Sequence, residues 1–194
     1  MQIDAIFILG PQGSGKGTQA RILAEKLGFF YYESGAILRE KRDIKTPSGE
    51  TIGEILDKGI LLSDEMIYEI FKSKQAELPA GGGIIFDGIP RRLAQAEFLV
   101  DFLKNSGKTN LVSLFVNIPR EESIKRLLLR AEIEKRADDT AEAIDIRLKQ
   151  YEDAIGPVLE YLRSNTKFLE IDGRPSIPEV GKSINLALGL PTGQ

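Results

Sequence analysis

The fold of this chain is decided by the stretch Gly10-Pro11-Gln12-Gly13-Ser14-Gly15-Lys16-Gly17-Thr18, which directly follows the apolar run Ile6-Phe7-Ile8-Leu9. A chain that leaves a buried strand and turns tightly into a helix presents unpaired backbone N–H groups, and the helix N-terminus adds partial positive charge. Glycines let this backbone curl around a phosphate without Cβ clashes. The stretch therefore predicts a P-loop, a phosphate-binding turn between a strand and a helix.

The side chains of the P-loop predict which groups bind the phosphates of a nucleotide. Lys16 is placed as a point cation for β- and γ-phosphates, and the hydroxyl of Ser14 or Thr18 can serve phosphate or Mg²⁺. The common pattern has Ser or Thr directly after the lysine, but this chain has Gly17 there and Thr18 next. This departure restricts the chain to the subclass of P-loop proteins in which glycine and then threonine follow the lysine.

Length and composition favour one globular domain spanning residues 1–194. The formal net charge of −3 gives no overall attraction to nucleic acid or membranes, so anion binding must come from local clusters of arginine. The chain has no cysteine and no histidine, which excludes disulfides, thiolate metal sites and imidazole acid–base chemistry. We recognise no secretory signal and no membrane span, and we expect a cytoplasmic protein.

Short apolar runs alternate with helical patterns along the chain, as in parallel strands joined by helical crossovers. We predict strands near residues 3–9, 29–32, 84–86, 111–116 and 167–171. The predicted fold is α/β, with a five-stranded parallel sheet in a three-layer α/β/α arrangement. An apolar stripe from Ile144 to Leu162 predicts a long helix, which Pro157 should kink or split.

Two regions interrupt the alternation. Between Ser34 and Pro79 the pattern predicts about three short helices, an insertion large enough to cover a ligand. Residues 126–139 are charged and weakly apolar, which is typical of a short mobile cover, and we take residues 130–139 as a short lid.

Five motifs in one order resemble those of the adenylate kinases, a family of nucleoside monophosphate kinases, along nearly the whole chain. Residues 10–18 match the family's Gly-x-Pro-Gly-Ser-Gly-Lys-Gly-Thr except at Gln12. Residues 33–39 are similar to its Ser-Thr-Gly-Asp-Leu-Leu-Arg segment, and residues 59–65 to the stretch that borders the acceptor base. Residues 86–96 resemble its Asp-Gly-Phe-Pro-Arg-Thr-x-x-Gln-Ala motif. The lid arginines and aspartates of short-lid members correspond to Arg126, Arg130, Arg136, Asp138, Asp139 and Arg147.

The resemblance implies the reaction ATP + AMP to 2 ADP, with Mg²⁺ as cofactor. Because the acceptor is already an anionic phosphate, this transfer needs no general base, and a protein without histidine can perform it. It needs neutralisation of repelling phosphates, in-line placement and exclusion of water. Arginine suits these tasks because it stays charged and grips phosphate oxygens with a planar fork.

The resemblance also implies site residues. The expected catalytic residues are Lys16, Arg91, Arg130, Arg136 and Arg147. ATP is expected at Gly13, Ser14, Gly15, Lys16, Gly17 and Thr18, with its base stacked on Arg126 and bordered by Arg174. AMP is expected at Ser34, Gly35, Arg39, Ile60, Leu62, Ile67, Gly88, Arg91, Gln95, Arg136 and Arg147. Without motif support, Arg42, Arg92 and Arg120 are expected to be surface residues.

A metal role is expected for Asp87, which ends the run Ile84-Ile85-Phe86 at the carboxyl edge of the predicted sheet, where such folds bind ligands. It would order Mg²⁺ through water, near Thr18. The family further implies a cis bond between Ile89 and Pro90. The lid is too short for the family's zinc-bearing version, so we expect no structural metal.

The choice of acceptor depends on two side chains. The Gln95 amide can satisfy both a donor and an acceptor of an adenine edge, and Ser34 keeps a hydroxyl where AMP-specific members have threonine. These residues favour AMP over UMP or CMP. Two departures from the family, Gln12 and Ala36, are expected to tune stability or rate.

Three alternatives stay open from the sequence. The first is another nucleoside monophosphate kinase, acting on UMP, CMP or GMP. The second is a GTP-dependent switch protein, against which the chain has no Asn-Lys-x-Asp guanine-reading motif. The third is a relative that has lost catalysis. We expect a monomer, and we expect the lid and the insertion at 34–79 to close when both nucleotides bind.

Overall fold

A parallel sheet of five strands forms the centre of the computed structural model, which describes residues 2–79, 81–134 and 140–191, with residue 134 by its backbone alone. The strands lie in the order β2-β3-β1-β4-β5, and every neighbouring pair is parallel. They are β1 (Ala5–Leu9), β2 (Phe30–Glu33), β3 (Ile84–Asp87), β4 (Leu111–Asn117) and β5 (Lys167–Asp172). The predicted sheet and its five strands are confirmed.

The central strands are apolar at consecutive positions because helices cover both faces of the sheet. All five residues of β1 are buried, with Phe7 facing one core and Ile6 and Ile8 the other. The Phe7 ring stacks on Phe86 of the neighbouring strand at 5.4 Å between centroids. These cores make the molecule a three-layer α/β/α fold, as predicted.

Eight helices lie in the described part of the chain. They are α1 (Lys16–Leu27), α2 (Ser34–Glu40), α3 (Ile52–Asp57), α4 (Asp64–Gln75), α5 (Leu93–Asn105), α6 (Arg120–Glu134), α7 (Ala141–Asn165) and α8 (Ile177–Leu188). Helices α1 and α8 cover one face of the sheet, and α5 and the C-terminal half of α7 cover the other. None of them is both long enough and apolar enough for a bilayer crossing.

Helix α7 continues without a break through Pro157, so the predicted split does not occur. A proline in a helix removes one backbone hydrogen bond. Val158 and Leu162, on the far side of the proline, are fully buried against the sheet. Packing of this last part of α7 outweighs the lost hydrogen bond.

The insertion between β2 and β3 contains α2, α3 and α4, so the three predicted helices are confirmed. It has a small apolar core of its own, formed by Leu38, Ile52, Leu62 and Ile70. It is also tied to the body of the protein, because the Leu61 backbone N–H donates to Gln150 Oε1 of α7 at 3.1 Å. Of the predicted lid, residues 135–139 lie outside the described residues.

Candidate active site

The P-loop leads from β1 into α1 at the carboxyl edge of the sheet. Gly15, directly before α1, has a left-handed backbone (φ 84°), and no side chain in the described ranges caps this end of the helix. The first amides of α1 and the positive end of its dipole therefore face the space above the sheet. The Ser14 hydroxyl is buried and has no hydrogen-bond partner within the described residues. Together these hydrogen-bond donors are arranged to bind the oxygen atoms of an anion.

Lys16 begins α1 and is partly buried beside this anion site. Its Nζ donates to the carbonyl oxygen of Pro11 at 3.0 Å. The pKa of Lys16 is lowered to about 8, mainly by removal from water and also by the charges of three arginines, whereas the Asp87 carboxylate acts in the opposite direction. The three arginines are Arg91, Arg130 and Arg147. Lys16 and these three arginines thus place four positive charges close together. An anionic ligand would reduce the repulsion between them.

A cavity of about 320 Å³ lies above the P-loop and collects most of the predicted cationic residues. Its walls include Lys16, Arg21, Arg39, Arg42, Arg91, Arg126, Arg130 and Arg147, with the P-loop residues Gly13, Gly15, Gly17 and Thr18. Among the described residues only two carboxylates, Glu33 and Asp87, line it. The cavity is therefore strongly cationic although the chain as a whole carries a net charge of −3. Such a concentration of cations suits a ligand with several phosphates.

Asp87 ends β3 inside this cavity and is buried, with 7% of its surface exposed. The Tyr31 hydroxyl donates to Asp87 Oδ2 at 2.9 Å, and burial together with the Asp87 charge raises the pKa of Tyr31. A Cβ atom at position 17 would lie 3.0 Å from the same Oδ2, which accounts for glycine after the P-loop lysine. The described residues hold no cluster of three acidic side chains for a metal cage. One buried carboxylate beside a phosphate site fits Mg²⁺, which usually keeps several waters and binds through one or two carboxylates and phosphates.

Three of the arginines that were expected to contact AMP line this cavity, namely Arg39, Arg91 and Arg147. Arg39 Nη2 donates to Glu33 Oε1 at 3.0 Å, and Arg91 Nε donates to the Gly88 carbonyl oxygen at 2.7 Å. Arg147 reaches the cavity from α7. Arg136 lies outside the described residues.

A second, mainly apolar cavity opens between the insertion and the start of α5. It is lined by Ser34, Leu38, Leu56, Ile60, Leu61, Leu62, Ile67, Gly88, Ile89, Arg91 and Gln95. The Ser34 hydroxyl is buried there without a hydrogen-bond partner within the described residues. A Cβ atom at position 88 would lie 2.5 Å from that hydroxyl, so the close approach requires Gly88. The Ile89–Pro90 bond is cis, as the resemblance implies.

Gln95 is 3% exposed, and both ends of its amide are hydrogen-bonded. Its Nε2 donates to Asp64 Oδ1 at 2.6 Å, and its Oε1 accepts from the Arg91 backbone N–H at 2.8 Å. Arg92 Nη1 lies 3.4 Å from the same Asp64 oxygen and donates to the Leu62 carbonyl oxygen at 3.1 Å. The expectation that Arg92 is a plain surface residue is therefore wrong, because the turn after β3 directs it toward the insertion.

Of the other two arginines that were expected to be surface residues, one differs from this expectation. Arg42 lines the cavity above the P-loop and pairs with Asp57 of α3 at 2.5 Å, because the turn after α2 directs it inward. Arg120 is a surface residue, as expected, and joins α6 to α7 through exposed ion pairs with Asp145 and Glu152.

The predicted contacts of the ATP base divide between two environments. Arg126 lines the cavity, and its guanidinium is held by Glu122 and by the carbonyl oxygens of Gly173 and Arg174. The side chain of Arg174 pairs with Asp172, outside the cavity lining. Arg174 therefore contacts Arg126 through its backbone carbonyl oxygen and not through its side chain.

Comparison with known proteins decides the family. The family model described as adenylate kinase matches residues 8–167. The chain belongs to the adenylate kinase family. A curated adenylate kinase of Thermus thermophilus is 40% identical over 186 residues, which cover 96% of this chain and 97% of the relative. Those of Prochlorococcus marinus and Maricaulis maris are 36% and 37% identical over 185 residues, covering 95% and 94% of this chain and 97% of each relative. As a member of this family the chain is a phosphotransferase.

Sequence reasoning missed four residues that support this adenylate kinase site: Tyr31, Glu33, Asp64 and Gln150. Glu33 lies opposite Asp87 in the strand register, so a parallel pairing of β2 with β3 would have pointed to it. Asp64 lies in a quoted family motif, but no spacing rule connects it to Gln95, thirty-one positions away. Gln150 contacts the insertion only because α7 crosses it.

Proposed function

We propose that this enzyme transfers the terminal phosphoryl group of ATP to AMP, reversibly and with Mg²⁺, to give two ADP. In this step the bond between the β–γ bridging oxygen and the γ-phosphorus breaks, and a phosphate oxygen of AMP bonds to that phosphorus. The carrying observation is the meeting of a P-loop, eight cationic side chains and an adjoining apolar cavity at one edge of the sheet.

The donor side is proposed to bind the phosphates of ATP. The backbone amides of the P-loop and the start of α1 face the β- and γ-phosphates, and Lys16 adds its positive charge beside them. Arg126 is fixed by Glu122 and two carbonyl oxygens, so it offers a rigid plane on which the adenine of ATP stacks.

The acceptor side is proposed to bind AMP. Arg39 and Arg91 grip its phosphate, since both line the cavity next to the P-loop. The adenine enters the apolar cavity, where Ser34 and Gln95 offer the polar groups among aliphatic walls. Backbone groups near Ile60, Leu62, Ile67 and Gly88, together with Gly35, complete this binding site.

The transferring group is proposed to lie between these two sites, surrounded by Lys16, Arg130 and Arg147, with Arg136 added from the lid. These cations neutralise charge on the equatorial oxygens and hold the two phosphates in line. Lys16 is already held by its hydrogen bond to the Pro11 carbonyl oxygen before the reaction, so this cation needs little reorganisation at the moment of transfer. No side chain has to remove a proton.

Asp87 and Thr18 are proposed to hold Mg²⁺, at least partly through water. When bound there, the ion would supply positive charge next to the donor phosphates. Tyr31 holds the Asp87 carboxylate in place through its hydrogen bond. The monomeric state and the cytoplasmic location stay predictions from the sequence.

A panel of acceptors tests this function. Purified protein is given ATP and Mg²⁺ with AMP, UMP, CMP or GMP in turn, and formation of the two diphosphates is followed by chromatography. We expect AMP to have the highest kcat/KM, and Lys16→Met to lower it by on the order of 10² to 10³. Preference for UMP, CMP or GMP would favour another nucleoside monophosphate kinase, and no transfer to any acceptor would refute the proposal.

A further inference from the structure

We propose that Asp64 is a positioning residue that fixes the orientation of the Gln95 amide, and that this orientation makes the enzyme choose adenine over 6-oxopurines. The inference rests on the proposed function, since it takes AMP as the acceptor. Asp64 itself begins α4 and does not line the apolar cavity that receives the base. It acts through Gln95, which does.

The partners of Gln95 allow only one orientation of its amide. A carboxylate can only accept hydrogen bonds and a backbone N–H can only donate them. Asp64 Oδ1 lies 2.6 Å from one end of the amide, and the Arg91 backbone N–H lies 2.8 Å from the other. The NH₂ group must therefore face Asp64, and the carbonyl oxygen must face Arg91. A rotated amide would set oxygen against oxygen and N–H against N–H.

The fixed amide still has groups to offer a purine. Nε2 carries a second hydrogen and Oε1 a second lone pair, which the hydrogen bonds with Asp64 and with the Arg91 N–H leave available to a ligand. Adenine offers the complement at its six-membered ring, with a lone pair at N1 and a donor at the 6-amino group. Hypoxanthine and guanine reverse both, since N1 carries hydrogen and position 6 carries oxygen.

The cost of a 6-oxopurine is therefore larger than two missed hydrogen bonds. With the phosphate held by Arg39 and Arg91, the base has one way to lie in the cavity. If Gln95 keeps its orientation, its NH₂ group faces the N1 hydrogen of the 6-oxopurine and its carbonyl oxygen faces the oxygen at position 6. If Gln95 rotates, its carbonyl oxygen faces Asp64 and its NH₂ group faces the Arg91 N–H. A buried polar group without a hydrogen-bond partner costs the full free energy of removing that group from water. Either arrangement therefore strongly disfavours a 6-oxopurine relative to adenine.

The positive charge of Arg92 compensates the negative charge of the partly buried Asp64 carboxylate. The Asp64 side chain is 24% exposed, and Arg92 lies beside the oxygen that Gln95 also contacts. Arg92 also donates to the Leu62 carbonyl oxygen, which ties the turn after β3 to the start of α4. The chain Arg92–Asp64–Gln95 thus links the base-reading amide to two separate segments of the fold.

The experiment compares AMP with IMP as acceptors, because these nucleotides differ only at N1 and position 6 of the base. The variant is Asp64→Asn, whose side chain has the same shape but can donate as well as accept. The matched control is Glu65→Gln, which removes a charge from the same turn of α4 on an exposed residue. The readout is the ratio of kcat/KM for AMP to that for IMP, with the far-UV circular dichroism and the thermal midpoint of each variant.

We expect Asp64→Asn to lower the AMP/IMP ratio by at least about tenfold, whereas Glu65→Gln leaves it within about twofold of the wild type. A ratio that stays within about twofold in Asp64→Asn overturns the inference, and so does an equal loss with both acceptors, as a merely structural role would give. If Asp64→Asn does not fold, Asp64→Ser, which keeps an oxygen at the helix start, is held to the same ratio. Wild-type protein that prefers IMP would instead refute the proposed function, before any variant is measured.

Discussion

The lowered pKa of Lys16 predicts that ATP binding takes up a proton in alkaline solution. With a pKa of about 8, the Lys16 ammonium is mostly protonated at pH 7, half protonated at pH 8 and mostly neutral at pH 9. Bound phosphates add negative charge beside Nζ, which favours the ammonium and raises its pKa. Uptake should therefore grow from about 0.1 proton per site at pH 7 to about 0.5 at pH 8 and about 0.9 at pH 9.

Calorimetry measures this proton directly. Binding of ATP with Mg²⁺, without AMP so that no transfer occurs, is titrated at each pH in two buffers of different ionisation enthalpy. The difference in binding heat gives the number of protons taken up. The phosphate itself contributes little, because its second ionisation, near pH 6, is almost complete at these pH values.

Lys16→Met is the matched control, since it keeps much of the side-chain length but cannot take up a proton. We expect weaker binding and no rise of proton uptake between pH 7 and pH 9. Uptake that stays flat in the wild type, or that rises equally in Lys16→Met, would refute the assignment of the proton to Lys16 and the electrostatic account of its surroundings.

Three further variants test local claims. Gly17→Ser adds a Cβ 3.0 Å from the buried β3 carboxylate, so thermal melts should show a loss of about 1 kcal/mol and initial rates a fall in kcat. Gly88→Ala places a Cβ 2.5 Å from the Ser34 hydroxyl and should raise KM for AMP far more than KM for ATP; equal changes would contradict the acceptor site. Asp4 accepts from the Asn110 backbone and side chain, which lowers the pKa of Asp4, so its stabilisation is present at neutral pH and lost as pH falls through the lowered value. Asp4→Asn should cost about 1 kcal/mol in urea melts at pH 7 and little at pH 2; an equal cost at both pH values would contradict this.

The architecture could be predicted because its signals are local. The P-loop stretch sets a strand before it and a helix after it, and consecutive apolar residues such as those of β1 mark strands buried on both faces. The insertion was predictable because it breaks this alternation. What Pro157 does was not predictable from its own position, since the outcome depends on how deeply Val158 and Leu162 pack on the sheet.

The cationic side chains of the site were predictable because a nucleotide site at this edge of the sheet needs them at motif positions. The polar partners that hold these side chains were not. Asp64 meets Gln95 and Tyr31 meets Asp87 only because the crossovers bring distant segments together. Arg42 looked like a surface residue since its direction depends on the turn after α2, which no periodic pattern specifies.

The central claim is that fixed cations around two facing nucleotides perform the transfer, without a proton-abstracting side chain. The most direct test is the initial rate of ADP formation from ATP and AMP with Mg²⁺ in wild type, Arg91→Met and Arg163→Met. Arg163 lies outside the cavity, where it pairs with Glu170 and contacts the Phe168 ring. We predict that Arg91→Met lowers kcat by on the order of 10² to 10³ and Arg163→Met leaves it within about twofold. Retention of full activity in Arg91→Met would contradict the account.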